Sequence, residues 1–99
     1  MSRHVARSER WSGDGPGRYR SSDGPVVRRF KGDWWADVAY LVLVESEGSP
    51  SAWEARLDTI GPFRRPRNAM VEAERHATAL SNRHRGRLRL VPPESHEPA

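Results

Sequence analysis

The sequence predicts an α+β domain: a small antiparallel sheet of three or four strands with one helix packed across one face. The order is (β)ββαβ, flanked by disordered tails. Three observations carry that reading. Trp34 to Val44 is a β-branched and aromatic run, too apolar on both faces for an edge strand. Ala52 to Ile60 alternates with the period of a pleated strand. Pro66 to His84 has the period of a helix and leads into a short alternating strand that stops at Pro92-Pro93.

Taken in order, Met1 to Gly24 is rich in Arg, Ser and Gly, with scarcely any apolar side chain. Such a segment cannot bury enough surface to offset its ordering entropy, so residues 1–24 are expected to be a disordered tail. Order is expected from Pro25. Val26, Val27 and Phe30 make a short edge strand, turned by Lys31-Gly32-Asp33 into the long one. In that long strand Trp34, Val38, Tyr40, Val42 and Val44 share one face; Trp35, Asp37, Ala39, Leu41 and Leu43 share the other. Glu45 to Ser51, with Gly48 and Pro50, reads as a polar hairpin loop. In the next strand Trp53, Ala55, Leu57 and Thr59 oppose Glu54, Arg56, Asp58 and Ile60, and Trp53 is expected in the core. Gly61-Pro62 ends it.

The helix has the clearest boundaries. Pro66 suits the first position, where the missing amide would have no intrahelical partner. Gly86 suits the residue past the end, where a left-handed backbone is needed. At 100° per residue, Ala69, Met70, Ala73, His76, Ala77, Leu80 and His84 form one stripe about 120° wide. Met70 and Leu80 are expected to supply most of its buried area, and the alanines let the helix lie close to its support. Arg87 to Val91 then forms the last strand, and residues 92–99 form an acidic, proline-bearing tail. The single domain is thus expected at residues 25–91. A core this small is marginal without a staple, so dimerisation is expected to complete it.

From Ala39 to Pro92 this order resembles the strand-strand-helix-strand module of HicB-type antitoxins, with a Glu72-Ala73 pair early in the helix. Arg64-Arg65-Pro66 stands where that family has glycine-threonine, so no functional residue is carried across. The resemblance implies a partner-binding module.

Composition narrows the function classes. The 99 residues hold sixteen arginines against one lysine, Lys31, with a net charge of +4. So strong an Arg bias matches GC-rich bacterial coding, and the basic balance favours anionic partners, nucleic acid before membrane. Without cysteine there is no disulfide framework and no thiolate chemistry. The longest uninterrupted apolar run, Val38 to Val44, is seven residues, against roughly 20 for a bilayer span. With no apolar core at the N-terminus either, a cytoplasmic location is expected.

No catalytic or cofactor motif emerges. His4 and His96 fall in the expected tails. Glu72 and His76 share a helix face but lack a third ligand. His84 lies in the last turn, where a donor near free carbonyls is favourable. Gly13 to Gly17 is not a phosphate loop, because no strand leads in and no helix follows. A non-enzymatic protein without metal or cofactor is therefore expected, nucleic-acid-associated through arginine clusters. The contacts expected are Arg64, Arg65 and Arg67 at the helix N-terminus, where positive charge is otherwise unfavourable. Trp11 and Tyr19, interleaved with Arg18 and Arg20, are expected to add stacking and phosphate contact. The competing expectation is a protein-interaction module using its sheet face or edge. Trp34 and Trp35 are adjacent and must point to opposite sides, so one of them is a candidate partner-binding residue.

Overall fold

The computed structural model describes residues 10–93. Met1 to Glu9 and Glu94 to Ala99, parts of the two expected tails, lie outside the described residues. The elements are β1 (Trp11–Gly13), β2 (Arg18–Ser21), β3 (Val26–Phe30), β4 (Asp33–Ser46), β5 (Ser49–Phe63), α1 (Pro66–Arg83) and β6 (Leu88–Val91). All six strands join one antiparallel sheet, ordered β1-β2-β3-β4-β5, with β6 paired to β4.

Three or four strands were expected, and among the described residues the sheet has six. The correction lies mainly upstream of Pro25. Trp11 pairs with Ser21 and Tyr19 with Val27, so the stretch read as tail supplies two strands. The composition argument failed because strands this short need few apolar residues. Trp11 and Tyr19 point to the core, while Arg18 and Arg20 point away and are held by Asp14 at 3.0 Å each. The added strands also make β3 internal, where an edge was expected.

β4 is the axis of the molecule. One of its edges carries β5 along nearly its whole length. The other carries β3 opposite Asp33 to Asp37 and β6 opposite Ala39 to Val42, end to end. The turn between β3 and β4 takes Lys31 at φ 53° and Gly32 at φ 86°, the two positive values that a tight hairpin with right-handed twist demands. β4 and β5 run past the expected loop and close on Glu47-Gly48. Gly61 admits no side chain, since a Cβ there would meet Trp35 at 2.8 Å.

The helix buries the stripe read from its period: Ala69, Ala73, Ala77 and Leu80 are buried, and Met70 packs against the core from its margin. They meet Ala36, Val38, Tyr40 and Val42 of β4, flanked by Val27, Trp11, Leu88 and Leu90. Small side chains let the helix approach the sheet closely, which is why four alanine or leucine positions suffice to seal one side. The molecule is only 20 Å through its thinnest direction, one sheet and one helix deep. No helix among the described residues is long and apolar enough to cross a membrane.

Candidate functional site

Because side chains alternate across a strand, the face of β4 turned from α1 carries Trp35, Asp37, Ala39, Leu41 and Leu43. Register places Leu43 beside Trp53, Leu41 beside Ala55, Ala39 beside Leu57 and Asp37 beside Thr59 on β5. From β6, Arg89 and Val91 join the same face beside Leu41 and Ala39. Near the junction of β3 and β6 this surface is closed, with Val26 and Ala39 buried. Toward the β4–β5 hairpin it opens: Trp53 is 40% exposed, Leu57 is 50% exposed, and Leu41 and Leu43 are half-buried. The expectation that Trp53 lies in the core is corrected here, because alternation sends it away from the helix.

Polar groups frame this face. At one end Asp37, only 8% exposed, accepts hydrogen bonds from Arg28 Nε at 2.6 Å and from Thr59 Oγ1 at 2.7 Å. That pairing lets a carboxylate sit in the sheet without an unmet charge. At the other end the Arg89 guanidinium lies over the Trp53 ring, 4.9 Å from its centroid. The Trp35 indole N–H is buried with no acceptor among the described residues.

The residues expected at a nucleic-acid contact scatter. Trp11 is 7% exposed, and its Nε1 donates to Glu74 on α1 at 2.8 Å, so it anchors the helix and is unavailable for stacking on a base. Tyr19 lies half-buried against Trp34, with ring centroids 5.8 Å apart. Both belong to the helix side of the sheet, leaving Trp35 on the other. Arg64, Arg65 and Arg67 are exposed where α1 begins. The N-cap Arg65 makes no side-chain cap, and the first turn holds no acidic residue. The Arg cluster is thus far in sequence and role from Arg18 and Arg20, which line the opposite end of the sheet order.

The other polar groups are explained by packing. His76 pairs with Asp58 on β5 at 2.8 Å, where Glu72 was the expected neighbour; Glu72 pairs with Arg75. Burial, and then the nearby Asp58 carboxylate, raise the Tyr40 phenol above its usual range. Together Tyr40, Asp58 and His76 tie β4, β5 and α1 beneath the helix. A cleft of about 620 Å³ runs along the outer flank of α1, but its charges already have partners: Arg10 with Asp23, Glu74 with Trp11, and Arg75 with Glu72. Among the described residues no group of three or more His, Asp or Glu gathers to hold a metal ion. No family model, curated protein or solved structure matches the chain. The antitoxin-like outline therefore rests on element order and the Glu72-Ala73 pair.

The uncovered face was only half legible beforehand. Its membership followed from alternation in β4 and β5, but which side the helix would choose did not. Arg89 was missed altogether, because its neighbour Trp53 is two strands away.

Proposed function

We propose that this protein is a non-catalytic binding module that docks a partner protein on the face of β4 and β5 turned from the helix. The observation that carries this reading is an apolar cluster on a strongly charged protein, with Trp53, Ala55 and Leu57 exposed beside half-buried Leu41 and Leu43. Contiguous apolar surface of this kind, rimmed by polar groups, marks interaction sites. Tryptophan and arginine are among the residue types enriched at interface hot spots. The partner surface would be apolar, with a carboxylate placed to meet Arg89.

The test is site-specific photo-crosslinking in the native host, with the reactive amino acid at Leu57 and, as control, at Thr78 on the exposed flank of α1. One protein captured from position 57 and not from 78 is the expected result. No adduct from position 57 overturns the docking reading. A second reading, nucleic-acid contact, draws on exposed Arg64, Arg65 and Arg67 at a helix N-terminus whose cap residue makes no side-chain cap. It predicts oligonucleotide binding whose affinity falls steeply with salt; oligonucleotide adducts alone would favour it.

A further inference from the structure

β5 is the one long edge of this sheet left without a neighbour among the described residues. Its free groups can be identified. The Leu43 amide donates to the Arg87 carbonyl at 2.8 Å, toward β6. Backbone groups alternate sides along a strand, so those of Tyr40 and Val42 turn toward β5. Their register partners Arg56 and Glu54 turn inward to meet them. The N–H and C=O groups of Trp53, Ala55, Leu57 and Thr59 therefore point out of the sheet. An edge of this kind is a template for another strand, and natural proteins usually blunt it. Here the prolines sit only at the ends: Pro50 and Pro62 each lie at a register shift, outside the regular run Ala52 to Ile60.

The geometry points to a second copy of this chain as the occupant, its β5 pairing antiparallel to this β5 about a twofold axis through Ala55. Charge selects that register. On the helix side of β5 the sequence is Glu54, Arg56, Asp58, and on the open side Trp53, Ala55, Leu57. With the axis at Ala55, Glu54 faces the partner's Arg56 and Arg56 faces the partner's Glu54. On the other face Trp53 meets the partner's Leu57, and Ala55 meets its own copy across the axis. Both copies already hold Glu54 and Arg56 together, with Arg56 Nε 3.0 Å from Glu54 Oε1, so pairing closes a ring of four alternating charges. An axis at Arg56 would instead set Arg56 against itself and Glu54 against the partner's Asp58, both unfavourable. An axis at Leu57 would need Asp58, which His76 already engages at 2.8 Å. The dimer would also join the two open apolar faces into one surface. The inference rests on the docking reading only in sharing Trp53 and Leu57 with it.

The test combines self-association with register. Sedimentation velocity across a wide concentration range should reveal a monomer–dimer equilibrium in the intact chain. Glu54→Arg places arginine against the partner's Arg56 twice over and should raise the dimer dissociation constant by about tenfold or more. Adding Arg56→Glu to it swaps the ring and should restore most of the lost affinity. Both positions are exposed, and circular dichroism would verify that the variants keep the fold. Since the chain has no cysteine, Ala55→Cys should form a disulfide-linked dimer under mild oxidation, faster than Leu57→Cys. A chain that stays monomeric at every concentration, a swap that restores nothing, or faster crosslinking from Leu57→Cys would each overturn the proposal. A monomer that still captures another protein from position 57 would sink the dimer and leave the docking reading standing. A self-adduct alone would do the reverse.

Discussion

Tyr40 is the residue on which β4, β5 and the helix converge. It is buried on the helix side beside Asp58, which in turn holds His76. Burial first, and Asp58 second, raise its phenol above the usual value near 10. Above that pH the unfolded chain has released the proton while the folded chain still holds it. Stability is therefore fully present below about pH 10 and is lost as pH rises through the folded value. Tyr40→Phe should cost about 0.5–1.5 kcal/mol at neutral pH through the lost polar contacts of the hydroxyl. It should also flatten the alkaline loss of stability, read as urea midpoints at neutral and alkaline pH. An unchanged alkaline slope would mean that Tyr40 ionises as freely in the fold as outside it.

At the scale of elements, α1 is held by packing in spite of its N-terminus. Arg65 occupies the N-cap with φ −127° and ψ 144°, the extended backbone required both of a cap and of a residue before proline. Its side chain caps nothing, and Arg64 and Arg67 add positive charge where the helix dipole is already positive. Arg65→Asp should therefore raise stability by about 1 kcal/mol, since the carboxylate can accept from the exposed amides of the first turn. Urea denaturation would measure it. A loss of stability would show that the guanidinium makes a contact worth more than a cap. β1 and β2 make the opposite case. Only Trp11 and Tyr19 in their composition favour strand, and Trp11 fastens β1 to the helix through one indole N–H and a buried ring.

At the scale of the whole molecule the two faces of the sheet have unequal fates. The helix side is sealed: Leu80 is 2% exposed among buried alanines and valines. The opposite side is covered near the β3–β6 junction and open toward the hairpin. Leu80→Ala should then cost about 2–5 kcal/mol, whereas Leu57→Ala should cost about 1 kcal/mol or less in dilute protein. Thermal or urea unfolding of the two variants side by side decides it. Comparable losses would mean that the open face is covered even in the free chain.

Much of this architecture follows from local chemistry. The periods of β4, β5 and α1, the Pro66 and Gly86 boundaries and the buried stripe all depend on residues adjacent in sequence or one helical turn apart. Propensity and alternation read such information directly. Two features depended on pairing between distant segments. β1 and β2 exist because Trp11 finds Glu74 on the helix and Tyr19 finds Trp34, contacts that no composition window spans. The open face exists because the helix could cover only one side of an amphipathic sheet, and its choice was made by the shape of the stripe. Ala69, Ala73 and Ala77 fit closely over Ala36, Val38 and Tyr40, leaving Trp53 and Leu57 outside. Sequence determined which residues share a face; only the tertiary packing decided which face would be left uncovered.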